Sequence, residues 1–297
     1  MRTILVGLEN EYGEGIKPYD QLSKIHFIDF EAKNNRNFSP QTRINKLVPT
    51  YGYHERDDIK LSLSTTLRLW QSAPFFTSFF GNSKSNRFFE YEFELDLMKY
   101  ERRSLIITSD VGEPVAYLGC AVDEINIDIE TNEFCQMQVM MLAKDIIRYN
   151  PTNIASDIRR AERPVAFDQI KIKLGGDTNP IYLATRLNLS FSRGLHDSTY
   201  MVGGGKRYIQ TQKDPTEITG SISLLTSTKN NYLKDILDND EFTEMKIELQ
   251  SPEISLELNY PQIYIDEYSI TSQYSDEYLE IDFENIGEMS MKVIRYG

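Results

Sequence analysis

The feature that most constrains this chain is a strict alternation of apolar and polar residues, repeated in several separate runs. Phe89, Tyr91, Phe93, Leu95 and Leu97 alternate with Glu90, Glu92, Glu94 and Asp96. Ile125, Ile127 and Ile129 alternate with Glu124, Asn126, Asp128 and Glu130. Ile254, Leu256 and Leu258 alternate with Ser255, Glu257 and Asn259, and Leu279, Ile281 and Phe283 with Glu280, Asp282 and Glu284. Successive side chains of an extended strand point to opposite faces, so a period of two marks a strand with one dry and one wet face. Many such runs commit the chain to antiparallel sheets packed on one side. Thr131-Asn132 reads as a hairpin turn into a returning strand over residues 134–142. Helical pattern is sparse. Residues 74–80 and 231–238 make a turn or two each. Residues 153–163 read as a better helix, with Asp157 near its start, arginines near its end, and Pro151 and Pro164 on either side.

That bracketed helix falls near the middle of 297 residues. It divides the chain into a first β half at 1–150, a connector at 151–164 and a second β half at 165–297. The halves run in the same order. A strand at 24–30, a polar stretch at 33–57, a strand at 59–69, a short helix and hairpin strands to about 143 make the first. A strand at 182–191, a polar stretch at 193–214, a strand at 218–225, a short helix at 231–238 and strands to the end make the second. Locally, Tyr117-Leu118-Gly119-Cys120-Ala121-Val122-Asp123-Glu124 aligns with Tyr260-Pro261-Gln262-Ile263-Tyr264-Ile265-Asp266-Glu267. The parallel order points to an internal duplication.

The two polar stretches are longer than the loops of a compact domain usually are. They carry aromatics and bases that a solvated loop does not need: Arg36, Phe38, Arg43, Lys46, Tyr51, Tyr53 and Arg56 in the first, and Tyr200, Met201, Lys206, Arg207 and Tyr208 in the second. Such composition suits docking on another subunit.

Composition removes several function classes. With 45 acidic against 32 basic residues the net charge is -13, the wrong sign for gripping nucleic acid through its phosphates. Cys120 and Cys135 make neither a disulfide framework nor a metal cluster and read as buried free thiols. No signal-peptide pattern opens the chain and no apolar run has the length of a membrane span, so folding in the cytoplasm, without a membrane partner, is expected. Gly203-Gly204-Gly205-Lys206 lacks the spacing of a phosphate-binding loop, and Arg207 stands where a Ser or Thr would follow. His26, His54 and His196 are far apart, and no nucleophile elbow occurs. The sequence therefore indicates no enzyme, no cofactor and no metal.

Several segments, in order, resemble the tail tube proteins of long-tailed bacteriophages. They are Val6-Gly7-Leu8-Glu9-Asn10-Glu11-Tyr12-Gly13, the Gly119-Cys120 strand through Ile127, the run Leu187 to Leu195, the strand around Ile218-Thr219-Gly220-Ser221-Ile222, and the closing Ile281-Asp282-Phe283-Glu284. The likeness covers nearly the whole chain from Val6 and is closest to the group of about this length with two halves. It implies a mainly β fold of two similar sandwich or barrel halves, with short helices and long inter-subunit loops. It also implies a structural virion protein, made in the host cytoplasm, that forms stacked rings through which DNA passes without specific binding. A two-half chain implies a trimeric ring with pseudo-sixfold symmetry in preference to a hexamer, with the tape measure protein and tail-end proteins as further partners. Another ring of the tail (distal tail, tail terminator, injection-system tube) is the alternative reading, and a ligand-binding β-barrel a more distant one. In a tube, the candidates for acids facing the bore are Glu90, Glu92, Glu94 and Asp96, then Glu124, Asp128 and Glu130, then Glu280, Asp282 and Glu284. Candidate inter-ring contacts are Arg36, Phe38, Arg43, Tyr51, Tyr53, Tyr200, Met201, Lys206, Arg207 and Tyr208.

Overall fold

The alternating runs form strands, and among the described residues the strands pair antiparallel with their neighbours. The structure, a computed structural model, describes residues 3–9, 23–41, 51–80, 83–84, 90–94, 105–109, 114–148, 162–175, 181, 184–195, 215–226, 242–251, 254–273 and 276–295. In the first part of the chain the strands are β1 (Thr3–Leu8), β2 (Ser23–His26), β3 (Asp29–Gln41), β4 (Tyr51–Thr66), β5 (Ser83–Lys84), β6 (Glu90–Glu94), β7 (Leu105–Ser109), β8 (Val115–Glu130), β9 (Gln136–Ala143) and β10 (Asp145–Arg148). The helix α1 (Leu69–Phe80) lies between β4 and β5. After it come β11 (Ile170–Leu174), β12 (Ala184–Ser192), β13 (Glu217–Leu225), β14 (Phe242–Gln250), β15 (Ile254–Gln273), β16 (Asp276–Asn285) and β17 (Ser290–Arg295). The fold is mainly β.

The main sheet runs β3-β4-β9-β8-β12-β13-β16-β15. Two strands are long enough to belong to two sheets. Residues 115–120 of β8 pair with β7 and β10, in a smaller sheet that also holds β1 and β2. Residues 254–264 of β15 pair with β14 and β17, which extend to β11 and to β6 and β5. One pattern of partners therefore occurs twice. The ladders β1–β7, β7–β8, β8–β10, β8–β9, β9–β4 and β4–β3 have counterparts in β11–β14, β14–β15, β15–β17, β15–β16, β16–β13 and β13–β12. Where β8 and β15 enter the main sheet, each slips register by one residue: at Asp123, between Val122 and Glu124, and at Asp266, between Ile265 and Glu267. A one-residue bulge bends and twists a strand, which lets it pass from one layer to the other.

The core fills the space between the main sheet and the smaller ones, as one large cluster drawing on both parts of the chain, with two small ones, Ile106/Ala116/Leu118 and Ala121/Leu142/Leu195, apart from it. Helix α1 is part of that core. Phe75, Phe76, Phe79 and Phe80 are buried, and the rings of Phe79 and Phe80 meet Phe191 of β12 edge-on at 6.2 and 5.9 Å. Its first turn is secured from the end of the connector: the Glu162 carboxylate accepts the Gln71 N–H at 3.1 Å, a negative group where free donors and the helix dipole favour one. Val165 donates to Leu67 and accepts from Cys135, closing the connector onto the β4–α1 junction. Both cysteines are buried free thiols, and burial pushes the Cys135 thiol up to about 12.

Sequence and structure differ at the first polar stretch. Residues 33–41 and 51–57, expected as loop, are the paired ends of β3 and β4, in register from Asp29↔Ser64 to Gln41↔Tyr51 with one slip between Asn37 and Phe38. A run of mostly polar residues hides a strand, because it lacks the apolar alternation by which a strand is read. Residues 51–58 of β4 lie beyond its ladder with β9. They form with β3 a two-stranded arm roughly 25 Å long at the usual strand rise. The short helix, expected at 74–80, begins earlier, at Leu69. The expected helices at 153–163 and 231–238 lie outside the described residues, apart from Glu162 and Arg163, which are irregular.

One glycine is required by a close approach. A Cβ on Gly220 of β13 would lie 2.5 Å from Cζ of Phe283 and 2.7 Å from the carbonyl oxygen of Asn188. Gly220↔Phe283 is a direct cross-strand pair, and the ring covers the space a side chain would take. Gly220→Ala is expected to destabilise the chain by about 1–3 kcal/mol through overpacking, read as a lower urea midpoint with unchanged slope.

Candidate functional site

The wet face of the main sheet is continuous across its strands. Directly opposed residues of neighbouring strands share a face, so the registers trace lines across it. One line runs Gln136, Asp128, Asn188, Ser221, Asp282, Glu267. Its neighbour runs Glu130, Arg186, Ser223, Glu280, Ser269. Thus the stripes Glu124/Asp128/Glu130 and Glu280/Asp282/Glu284, far apart in sequence, share one face of one sheet. Glu130, Glu280, Asp282 and Glu284 are exposed. Arg186 approaches Asp128 and Glu130 at 3.3 and 3.5 Å, and the hydrogen bond that it donates to the Asp128 carboxylate leads the causes that raise its pKa. Exposed pairs of this kind contribute about 0–1 kcal/mol. The third stripe does not join them: Glu90, Glu92 and Glu94 sit opposite Ile294, Lys292 and Ser290 of β17, in the other layer. Asp96 lies outside the described residues.

The main sheet ends in two edges. Among the described residues β3 pairs only with β4, and residues 267–273 of β15 pair only with β16. Tyr268 and Ile270 occupy dry-face positions on the β15 edge, yet are 42% and 53% exposed, and Ile28 beside β3 is 59% exposed. Their counterparts on β8, Ile125 and Ile127, are fully buried, because β12 pairs alongside them. An unpaired edge with an apolar fringe is a template for another chain.

The in-chain seam between β8 and β12 carries a group that the sequence reading did not single out. Arg193, next after β12, is buried and donates to the carbonyl oxygens of Ser78 (3.0 Å) and Val122 (3.2 Å), with its guanidinium 5.9 Å from the Phe79 ring centroid. The Arg193 N–H donates to the Asp123 carbonyl oxygen at 2.9 Å, and Leu195 N–H donates to the Asp123 carboxylate at 2.8 Å. Burial raises the Asp123 carboxyl above its usual range, against the opposing pull of the Leu195 N–H and Arg193. The signal was present in the sequence: Leu187, Leu189 and Phe191 place Arg193 on the dry face, where an arginine needs dedicated acceptors.

Of the candidate contact residues, Arg36 and Phe38 lie in β3, and Tyr51 and Tyr53 in β4, on the projecting arm. Arg43, Tyr200, Met201, Lys206, Arg207 and Tyr208 fall outside the described residues. Surface hollows of about 290 and 300 Å³ occur among the described residues. The first is lined by Lys173, Lys246 and Tyr260 among others. Both lysines lie within 3.8 Å of Glu248. The second is lined mostly by aliphatic side chains such as Ile170, Ile172 and Leu187. Among the described residues no group of three metal-ligating side chains occurs, and no helix is long and apolar enough to cross a membrane.

A mainly β subunit with one wet sheet face and, among the described residues, two open, apolar-fringed edges has the surfaces of an assembling structural protein. A family model described as phage tail tube protein matches residues 58–286, and the chain belongs to that family; it is a phage tail component. No curated protein matches it.

Proposed function

We propose that the chain is a self-assembling tube subunit, whose main sheets join edge to edge into closed rings that stack to form the conduit for genomic DNA. The observation that carries this is the pair of open edges, with Tyr268, Ile270 and Ile28 exposed beside them. Closing the sheet on itself through neighbouring copies removes both edges at once. The chain contributes two copies of one β unit, first and second half, on the support of six matching ladders and two matching bulges. A ring of three copies then has pseudo-sixfold symmetry. The arm of β3 and β4 reaches toward the adjacent ring, since a lone two-stranded ribbon is marginal in water and gains from packing. The wet face lines the bore. The tape measure protein and tail-end proteins are its further partners, and catalysis has no part in this role.

The test is electron microscopy with sedimentation of the purified chain over rising concentration. Rings of three copies that stack into tubes are expected. A chain that stays monomeric throughout, or forms rings without a closed central wall, overturns this reading.

A further inference from the structure

The main sheet contains one complete seam between the two parts of the chain. There β8 and β12 pair from Glu130↔Arg186 to Glu124↔Ser192, and Arg193 latches the end of the seam at the Asp123 bulge. The outer edges of the sheet, among the described residues, are the counterparts of these two strands. The bulge at Asp266 marks β15 as the counterpart of β8. The register lines then match position to position. Ile125, two residues past its bulge, faces Val139, which faces Leu63, which faces Phe30. Tyr268, two residues past its own, faces Ile281, which faces Ile222, which faces Leu187. Phe30 on β3 therefore stands where Leu187 stands on β12, Ala32 where Leu189 does, and Lys33 where Ser190 does. On β15, Ser269 stands where Asn126 stands on β8, and Ile270 where Ile127 does. Ile127 lies opposite Leu189 and is fully buried. Ile270 is 53% exposed, and Ala32 is exposed as well.

We propose that residues 29–35 of β3 in one copy pair with residues 267–273 of β15 in the next, in the register of the in-chain seam: Ala32 opposite Ile270, and Lys33 opposite Ser269. This rests on the ring reading above and adds to it the register of the joint between subunits. Three observations carry it. The first is direction: the eight strands of the main sheet alternate, so β15 of one copy and β3 of the next meet antiparallel. The second is stagger. The line from Ser269 through Glu280, Ser223 and Arg186 ends on Glu130, four positions beyond Asn126, the counterpart of Ser269. The line from Asn126 through Gln138 and Ser64 ends on Asp29, and placing Asp29 opposite Gln273 repeats the same stagger. Four residues over four strands tilt the strands by about 35° at the usual rise and spacing, as closed barrels require. A slip of two residues at the seam, the smallest that keeps the dry faces together, breaks this even stagger. The third is the root of the arm. β4 leaves β9 at Ile59, whose partner on β3 is Asn34. In the proposed register β15 leaves the main sheet, at its bulge, just past residue 35 of β3. The arm thus parts from both neighbours at one level, as β12 parts from β8 and β13 together at Ser192.

Two measurements on the full chain test it. Lys33→Cys with Ser269→Cys places two thiols on directly opposed residues, within disulfide range, whereas Glu31→Cys with Ser269→Cys places them a diagonal apart and beyond it. Cys120 and Cys135 are buried and serve as background. Oxidation of assembled rings is expected to give covalent dimers and trimers from the first pair, several-fold more than from the second. An equal mixture of the two single variants, Lys33→Cys and Ser269→Cys, should give covalent dimers, which shows that the bond joins two copies. Equal yields from the two pairs, a higher yield from the second, or dimers from Lys33→Cys alone overturn the register. In the second measurement, Ile270→Asp is expected to raise the concentration for half-assembly by about tenfold or more, the change that losing a buried isoleucine produces. The urea midpoint of the monomer should be unchanged, because this side chain is half exposed before assembly. Assembly of Ile270→Asp at the wild-type concentration overturns the register and leaves the ring. A wild-type chain that forms no ring overturns both.

Discussion

Phe191→Ala is expected to cost about 3–5 kcal/mol of folding stability, the range for truncating a fully buried aromatic. Phe191 has no exposed surface. It faces Ile125 of β8 and Ile218 of β13, and its ring meets Phe79 and Phe80 of α1. One side chain thus joins a strand from the first part of the chain, a strand from the second and the helix between the layers. Removing it leaves a cavity that those elements cannot close without moving the seam, and Arg193 two residues on loses its support. Equilibrium urea unfolding followed by fluorescence measures the loss. Phe191→Leu, which keeps most of the volume, should lose well under half as much. Equal losses for the two variants would mean that the site is not the packed joint described here.

The second large effect concerns DNA passage. Replacing Glu280, Asp282 and Glu284 together with lysine is expected to leave folding and tube assembly intact, because all three side chains are exposed on the wet face, away from the core residues Leu279, Ile281 and Phe283. The bore of the proposed tube would change from repelling phosphate to binding it. Lysine–phosphate contacts release counterions, so the hold on DNA should be strongest at low salt and fall steeply as salt rises. Screening acts over about 8 Å near physiological salt, so only side chains that project into the bore contribute. DNA release from assembled particles should slow by about tenfold or more at low salt and recover toward the normal rate at high salt. Release at the normal rate under both conditions would place this face outside the tube. The Glu124/Asp128/Glu130 stripe shares the face and should behave alike, more weakly, because Arg186 already sits beside Asp128 and Glu130.

The sequence alone determined the strands whose dry face is buried. Ile125/Ile127/Ile129, Ile254/Leu256/Leu258 and Leu279/Ile281/Phe283 all occupy the faces that their alternation assigned, since burial on one side of a pleated strand leaves a period of two in the residues themselves. The turn at Thr131-Asn132 was legible for a similar local reason: Asn132 takes φ 66°, which asparagine tolerates better than most residues. The alignment of Tyr117-to-Glu124 with Tyr260-to-Glu267 likewise fell on the two segments that carry the bulges at Asp123 and Asp266. Other features were decided only by tertiary structure. The ends of β3 and β4 are strands of mostly polar residues without apolar alternation, so their residues carry no period to read. That two acidic stripes more than 100 positions apart share a face, and that the third sits in another layer, depends on which strands pair, a matter of ladders and not of any one segment's composition. Arg193 became a buried latch only because β12 lies beside the β8 bulge, where two carbonyl oxygens and an aspartate converge on it. Pairing partners are set by long-range packing between segments that are each compatible with several neighbours, and only the folded sheet chooses among them.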